Sequence, residues 1–261
     1  MSTLNKILKN KDKSCKSIWF MRQAGRYLPE FREIRSQNQN FINLCLNSKL
    51  SSEITLQPIN RYNLDSAIIF SDILILPYAL GQEVNFIKNH GPQLSKFNNN
   101  FFDINEREFS QKLNPIYKAI EITKKKLDKG KSLIGFVGAP WTLLVYMLNF
   151  KKDNNELDLK KFSEKKLDID KILEKLINFL CIHVKNQANA GADVIQIFDS
   201  WAGLIPERNM KDFCFIPNSK IVDFCKREKI LNICFPKGIK EKYEAFNQVV
   251  KPDGINLDHE I

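Results

Sequence analysis

The sequence predicts an α/β fold in which parallel strands alternate with helices. Short, continuous apolar runs recur along the chain, as is typical of strands buried on both faces of a parallel sheet. Helical segments separate these runs, and each crossover is long enough to connect parallel neighbours. Polar and glycine-containing motifs follow several of the runs, at the places where catalytic residues lie in a (β/α)8 TIM-type barrel. A barrel of this type is therefore the predicted fold class.

Six strands are predicted from the apolar runs. They lie at residues 18–21, 67–70, 133–136, 194–198, 231–235 and 254–257. A barrel has eight strands, so the last two strand–helix units, about 60 to 80 residues, are expected to be lacking at the C-terminal end. We therefore expect residues 1–261 to form a single barrel domain that is incomplete there, and that is impaired or unstable alone.

The helices are predicted from apolar periodicity and from capping residues. The clearest begins near Ile169, repeats apolar residues at helical spacing and ends at Gly191. The helix after a capping signal at residues 51–53 contains Pro58, which is expected to kink it. The remaining predictions are an arm or short helix at 1–17, helices at about 29–47, 106–129, 206–229 and 239–250 and from near Trp141, a long excursion or hairpin at 81–104, and a charged loop at 150–166.

Composition and charge narrow the class of protein. The formal net charge is +10, but the excess is mostly lysine scattered along the chain, whereas nucleic-acid binding requires clustering. The six cysteines form no CxxC pair, which indicates buried reduced thiols. No apolar segment has the length of a signal-peptide core or a membrane span. We therefore expect a cytoplasmic protein with no nucleic-acid or membrane partner, whose positive field favours a polyanionic small substrate.

Arginine is concentrated next to the first predicted strand. Four of the eight arginines lie between Arg22 and Arg35. The guanidinium group binds carboxylates and phosphates in a fixed geometry, so this concentration suggests an anion site. The alternative is a solvated, basic start of a helix. All three tryptophans (Trp19, Trp141 and Trp201) lie within or beside the segments that follow predicted strands.

Four segments resemble the uroporphyrinogen decarboxylase family. They are residues 21–30 (MRQAGRYLPE), 68–74 (IIFSDIL), 135–143 (GFVGAPWTL) and 198–203 (FDSWAG). The resemblance extends from about Ile18 to Asp258. It implies a (β/α)8 barrel that removes the four acetate carboxyls of uroporphyrinogen III, giving coproporphyrinogen III in haem biosynthesis. It also implies a homodimer and a reaction without a metal or an organic cofactor.

The resemblance assigns roles to individual residues. Asp72 is expected to be catalytic, because a carboxylate can stabilise the cation that forms when a pyrrole carbon is protonated, and to accept hydrogen bonds from the pyrrole N–H groups. Arg22 is expected to bind substrate carboxylates, as a candidate proton donor or acetate-orienting group. The other predicted substrate-binding residues are Gln23, Ala24, Gly25, Arg26, Tyr146 and Ser200.

Each assignment has a structural alternative. For Asp72 it is a helix cap, for Tyr146 a core position and for Ser200 a turn. Tyr146 lies four residues after Thr142, so both share one helix face.

Phe198 is expected to pack rather than to react. Asp199 and His183 are interpreted as structural, and His259 does not replace the histidine that the family carries near its C-terminus.

Three other functions stay open at this point. The first is a truncated inactive remnant, or a tetrapyrrole-binding protein, of the same family. The second is a related barrel that uses zinc for methyl transfer, but this chemistry needs a cluster of histidine and cysteine, and the cysteines are scattered. Nucleic-acid binding is the third.

Overall fold

Strands and helices alternate in the computed structural model, which describes residues 1–87, 90–150, 156–158 and 168–259. Five parallel strands form one sheet among these residues. They are β1 (Ser66–Ile68), β4 (Ser132–Gly138), β5 (Val194–Asp199), β6 (Leu231–Pro236) and β7 (Gly254–Ile255).

The order of the strands in the sheet follows their order along the chain, β1-β4-β5-β6-β7. The register aligns Ser66 with Ser132 and Ile134 with Val194. Between β1 and β4, the strands β2 (Val84–Ile87) and β3 (Gly91–Leu94) form an antiparallel hairpin, inside the excursion predicted at 81–104. Sequential parallel winding confirms the predicted barrel-type α/β fold, and it brings the C-terminal ends of the strands to one end of the sheet.

Helices connect the strands and cover one face of the sheet. The α-helices are α1 (Thr3–Asn10), α2 (Pro29–Gln37), α3 (Phe41–Cys45), α4 (Ser48–Arg61), α5 (Ile75–Leu80), α6 (Glu106–Lys126), α7 (Pro140–Met147), α8 (Ile169–Asn189), α9 (Ile216–Arg227) and α10 (Tyr243–Val250). The strand residues Leu133 and Ile195 belong to the same buried core as Leu113 of α6 and Leu176 of α8. The predicted apolar face of α8 is thus confirmed.

The opposite face of the strands carries a second apolar cluster near their N-terminal ends. Its buried members are Leu4, Leu8, Ile68, Ile134, Val194 and Ile233. Leu4 and Leu8 come from α1, and the Ser2 and Ser132 hydroxyls hydrogen bond at 2.5 Å. The segment predicted as an arm or short helix therefore closes this end of the sheet, and the C-terminal ends of the strands stay free for a site.

Residues 18–21, predicted as the first strand, are not a strand. The Asp65 N–H donates to the Ile18 carbonyl at 2.9 Å, and the Ile18 N–H donates to the Asp65 carboxylate at 2.6 Å, but the described residues continue no ladder from there. Ile18 and Phe20 are 58% and 59% exposed. The prediction was wrong because it took an apolar run as a sign of burial on both faces, and half of this run faces solvent.

Some helix boundaries differ from the predicted ones. The helix predicted at 29–47 is two helices, because the Asn40 side chain accepts from the Asn43 N–H and starts α3 separately. The N-cap of α4 is Asn47 rather than the signal at 51–53, and α4 continues through Pro58. The helix predicted at 206–229 contains short 3₁₀ and π-helical turns before α9.

The charged loop predicted at 150–166 lies outside the described residues, apart from residues 150 and 156–158. Within the described part of the chain, a helix long and apolar enough to cross a bilayer is not found.

Candidate active site

Asp72 lies just beyond the C-terminal end of β1. The chain between them is held by the Ile69 N–H, which donates to the Ile134 carbonyl at 2.9 Å, and by Thr55, whose hydroxyl accepts from the Phe70 N–H at 2.8 Å. Oδ1 of Asp72 accepts from the Leu74 N–H at 2.8 Å, immediately before α5. The N-cap of α5 is Leu74, which is not capped by a side chain, so Asp72 is not the helix cap considered as the alternative. Its hydrogen bond to the Leu74 N–H fixes the orientation of the carboxyl group.

The surroundings of Asp72 change its acidity. Burial raises the pKa of this carboxyl to about 6, while the Leu74 N–H and the Arg22 guanidinium act in the opposite direction. A pKa near neutrality is typical of functional carboxyls, although structural carboxyls can share it. The effect of Arg22 on this carboxyl indicates that the two side chains lie on the same side of the molecule.

Arg22 belongs to an irregular loop that leads into α2. A turn closes the loop, where the Leu28 N–H donates to the Gly25 carbonyl at 3.0 Å. Gln23 is buried, and its Oε1 accepts from the Phe20 N–H at 3.2 Å, while its Nε2 has no hydrogen-bond partner among the described residues. Ala24 packs against the small apolar cluster beneath α2. Gln23 and Ala24 thus anchor the loop to the body of the protein, whereas the Arg22 side chain is exposed.

Arg26 occupies the turn of the same loop and is exposed. Its carbonyl accepts from Nη1 of Arg32 at 2.7 Å, and the Tyr27 hydroxyl donates to the Gln23 carbonyl. These bonds hold the backbone of the turn, so that the Arg26 guanidinium is directed by a fixed loop rather than by a helix.

Tyr146 lies in the last turn of α7, partly buried. Its ring packs edge-on against Trp201, with ring centroids 5.8 Å apart. Burial raises the pKa of the Tyr146 phenol, and both Asp72 and Arg22 contribute smaller electrostatic effects of opposite sign. Side chains from three separate segments therefore interact at this end of the sheet.

The turn after β5 carries Ser200, which is partly buried. Next to it, the Asp199 carboxylate is buried and accepts from the Thr142 hydroxyl at 2.7 Å and from the Asn218 amide at 3.0 Å. Burial raises the pKa of Asp199 to about 6, and the hydrogen bonds from Thr142 and Asn218 oppose this rise. Asp199 thus joins β5 to two helices, which confirms its structural interpretation.

Two phenylalanines lie on the face of the strands that carries the second apolar cluster. Phe136 of β4 and Phe198 of β5 pack edge-on, with ring centroids 5.6 Å apart, and both adjoin the second apolar cluster. The two rings give this part of the strands an apolar surface, and binding sites for small molecules are typically lined by such side chains.

The eight predicted site residues are thus connected to different degrees. The charges of Arg22 and Asp72 affect each other's surroundings and the pKa of Tyr146, and Gln23, Ala24, Gly25 and Arg26 share the loop of Arg22. Ser200 is linked through the neighbouring Trp201. The sequence analysis assigned no role to Thr142, Trp201 or Asn218. The positions of Thr142 and Trp201 inside the family-like segments were the only signal for them, and Asn218 had none.

The described histidines do not join this group. His183 is buried, its Nδ1 lies 3.0 Å from the Tyr117 hydroxyl, and burial lowers its pKa to about 3, which confirms a structural histidine. His259 is exposed. Across the described residues, no three His, Cys, Asp or Glu side chains come close enough together to hold a metal ion.

Comparison with known proteins agrees with the family resemblance of residues 21–30, 68–74, 135–143 and 198–203. A sequence model of the family described as Uroporphyrinogen decarboxylase matches residues 1–261. The uroporphyrinogen decarboxylase of Orientia tsutsugamushi (strain Ikeda) is 40% identical over 266 residues, which cover 100% of this chain and 77% of the relative. The corresponding protein of Rickettsia felis is 43% identical over 263 residues, covering 98% and 74%.

A solved structure is similar in fold. The methyltransferase from Methanosarcina mazei superimposes with a TM-score of 0.71 at 17% identity, over 98% of this chain and 74% of that protein. This likeness supports the α/β fold alone. The family model and the relatives go further, and they show that the chain belongs to the uroporphyrinogen decarboxylase family.

Proposed function

We propose that the chain is a carboxy-lyase that converts uroporphyrinogen III into coproporphyrinogen III by removing four acetate carboxyls. The single observation that carries this proposal is the buried Asp72 carboxyl beyond the C-terminal end of β1, held by the Leu74 N–H at 2.8 Å and near enough to the exposed Arg22 guanidinium for its charge to act on it. It unites a cation that can hold substrate carboxylates with a carboxyl that can stabilise a cationic ring. Residues 1–261 act in this proposal as the single, incomplete barrel domain expected from the sequence.

The reaction needs a place for the electrons that the departing carboxyl leaves behind. Protonation of a pyrrole carbon makes the ring cationic, and the electron pair of the breaking C–C bond then flows into the ring as CO₂ leaves. The acetate methylene afterwards takes up a proton to become a methyl group, and the ring carbon loses its own. Asp72, as a fixed carboxylate beside the ring, stabilises the cation in this scheme.

Ionised Asp72 and charged Arg22 must coexist for this mechanism. The raised pKa of about 6 leaves Asp72 mostly ionised at neutral pH. Because neutral pH lies close to this pKa, a nearby cation can still shift the protonated fraction of Asp72. In the ionised form its oxygens accept hydrogen bonds from the pyrrole N–H groups. Neither step requires a metal or an organic cofactor.

The other predicted residues bind the periphery of the substrate in this proposal. Arg22 and Arg26 hold carboxylates, since both side chains are exposed on one fixed loop and guanidinium groups bind carboxylates in two-point geometry. Tyr146 and Ser200 donate hydroxyl hydrogen bonds. The backbone at Gln23, Ala24 and Gly25 follows the edge of the ring.

The proposal also covers the cellular location, the oligomeric state and the partners of the protein. We place it in the cytoplasm as a homodimer, with no nucleic-acid or membrane partner, because the family resemblance implies such an enzyme and its substrate is a soluble polyacid. Light scattering of the purified chain tests the dimer, and a monomer at micromolar concentration would contradict it.

An anaerobic assay with uroporphyrinogen III tests the activity. Coproporphyrin is measured after oxidation, for the wild-type chain, for Asp72→Asn and for the matched control Asp128→Asn, whose exposed side chain lies before β4, at the other end of the sheet. We expect turnover by the wild type at the impaired level anticipated from the sequence, the same turnover by the control, and a further loss of about 100-fold or more in Asp72→Asn. Binding of uroporphyrinogen without turnover would support the alternative, a tetrapyrrole-binding protein or inactive remnant.

A further inference from the structure

Lys237 follows the C-terminal end of β6, beside the turn that carries Ser200. The last register pair between β5 and β6 joins Asp199 to Pro236. Its ladder bond is made by the Lys237 N–H, which donates to the Asp199 carbonyl at 3.1 Å. Ser200 and Lys237 are thus the next residues on two adjacent strands, directly beyond the ladder.

The two residues also belong to the same face of the sheet. Side chains alternate between the two faces along a strand. On β6, Ile233 belongs to the second apolar cluster and Cys234 to the core beneath the helices, and Lys237 is an even number of residues after Ile233. On β5, Phe198 adjoins the second apolar cluster, and Ser200 follows it by two residues. Lys237 is therefore the cross-strand neighbour of Ser200 on the face that carries the site.

The backbone around Lys237 is held on both sides. The Lys237 carbonyl accepts from the Gly203 N–H at 2.8 Å. The next N–H, of Gly238, donates to the Asp258 carboxylate, which also accepts from the Tyr243 hydroxyl at 3.1 Å. The ends of β5, β6 and β7 are thus joined at this point, and the lysine side chain starts from a fixed position.

The Lys237 side chain is exposed. Its ammonium group has no ion-pair partner among the residues that the structure describes, whereas that of Lys242 pairs with Glu207 at 3.0 Å. Exposed lysines are common in this chain, which contains 40 Lys and Arg residues. The position of Lys237, rather than its charge alone, therefore distinguishes it from the others.

Lys237 lies across the site from Asp72. Asp72 follows β1 and Lys237 follows β6, and in the sheet order β1-β4-β5-β6-β7 two strands lie between them. At a spacing of about 4.8 Å between neighbouring strands, the two strand ends are at most about 14 Å apart. A tetrapyrrole with carboxylates around its edge can span this distance. A cation at β6 can thus reach carboxylates that lie away from the Arg22 loop.

We propose that Lys237 is a substrate-binding residue, whose ammonium group binds a carboxylate at the edge of the tetrapyrrole, next to the one that Ser200 contacts. This inference rests on the proposed function for its substrate. Uroporphyrinogen carries two kinds of carboxylate, the acetates that leave and the propionates that stay. An ammonium group on a flexible stem can pair with either kind.

A binding experiment tests this role without relying on turnover. Uroporphyrinogen III is titrated into the purified chain under anaerobic conditions, and tryptophan fluorescence reports the binding. Lys237→Met keeps the apolar stem and removes the charge, so we expect Kd to rise by about threefold to tenfold. Lys237→Arg should stay within about twofold of the wild type. The matched control Lys129→Met removes an exposed ammonium group before β4, at the other end of the sheet, and should leave Kd unchanged.

Titration with coproporphyrinogen III, which keeps the propionates and lacks the acetate carboxyls, identifies the bound group. A loss of affinity for both compounds in Lys237→Met assigns a propionate to Lys237, and a loss for uroporphyrinogen alone assigns an acetate. An unchanged Kd for uroporphyrinogen in Lys237→Met, or an equal rise in Lys129→Met, overturns the inference. Circular dichroism of each variant checks that the fold is kept.

The same titrations separate this inference from the proposed function. If the wild type binds uroporphyrinogen III without turnover, the proposed activity is refuted, while the comparison of Lys237→Met with Lys129→Met still decides the role of the lysine. If the wild type does not bind uroporphyrinogen III, both the proposed function and the role of Lys237 are refuted.

Discussion

The Gln187 side chain hydrogen bonds both backbone groups of Phe136. Its Oε1 accepts from the Phe136 N–H at 3.0 Å, and its Nε2 donates to the Phe136 carbonyl at 2.9 Å. The neighbouring strand β1 ends at Ile68, which pairs with Ile134, so Phe136 lies beyond the reach of that ladder. A side chain from α8 therefore takes the place of a neighbouring strand at Phe136.

Replacement of Gln187 should destabilise the fold strongly. Gln187→Leu keeps the apolar stem but leaves a buried N–H and a buried carbonyl without partners, so we expect a loss of about 2 to 4 kcal/mol in the free energy of unfolding. Urea denaturation followed by circular dichroism measures it. The matched control is Gln248→Leu on the exposed face of α10, which should change stability by less than about 0.5 kcal/mol; equal losses would contradict the argument.

The turn that carries Ser200 should be destabilised by any side chain at Gly203. A Cβ added there would lie 2.5 Å from the Gly238 carbonyl oxygen and 2.8 Å from two further backbone atoms, so backbone would have to move. We expect Gly203→Ala to cost about 1 to 3 kcal/mol and to reduce turnover through displacement of the turn. At Gly130 an added Cβ meets nothing within 4 Å, and Gly130→Ala serves as the control. Comparable melting temperatures for the two variants would disprove the close approach.

The sequence predicted the central strands well because their signal is local. The runs at 133–136, 194–198 and 231–235 lie inside β4, β5 and β6, since strands covered on both faces are continuously apolar. The run at 18–21 has the same composition but is half exposed. Composition alone does not show which neighbour covers a segment.

The site was predictable as a set of motifs, but its interactions were not. Asp72 follows an apolar run and Arg22 lies in an arginine-rich loop, and both signals are visible in the sequence. The partnership of Thr142 with Asp199 joins residues 57 positions apart, and that of Thr142 with Trp201 joins residues 59 apart. Such pairs depend on how the strand ends are brought together, so local patterns do not report them.

Arg22 should lower the pH at which the enzyme becomes active. The carboxylate form of Asp72 is the functional one in the proposed mechanism, so kcat/KM should rise with pH through the pKa of about 6. Arg22 lowers this pKa, and Arg22→Gln should therefore move the acid limb to higher pH, besides weakening substrate binding. Rates with uroporphyrinogen from pH 5 to 8 measure it.

Two comparisons make the pH result specific to Arg22. Arg107→Gln removes an exposed guanidinium at the start of α6 and should leave the acid limb in place. Ionisation of the substrate carboxylates also contributes to kcat/KM, but it is the same for every variant and does not shift between them. A limb that stays at the wild-type pH in Arg22→Gln would remove the coupling between Arg22 and Asp72 from the mechanism.

Asp199 should make the stability of the fold depend on pH in the direction opposite to that of an ion-paired carboxylate. Its pKa is about 6 in the folded chain, against an ordinary value of 3.8, so the folded state binds the proton more tightly. Its contribution to stability is complete below about pH 4 and is lost as the pH rises through 6. From these two values the loss is about 3 kcal/mol.

The comparison of wild type with Asp199→Asn isolates this effect, because Asp72 titrates in the same range in both chains. We expect the free energy of unfolding of the wild type, relative to that of Asp199→Asn, to fall between pH 4 and 6.5 in urea titrations. Asp128→Asn, exposed before β4, should give a constant difference over this range. If the difference between wild type and Asp199→Asn instead grew with pH, the hydrogen bonds from Thr142 and Asn218 would outweigh the burial of the carboxylate, and Asp199 would be held as an anion.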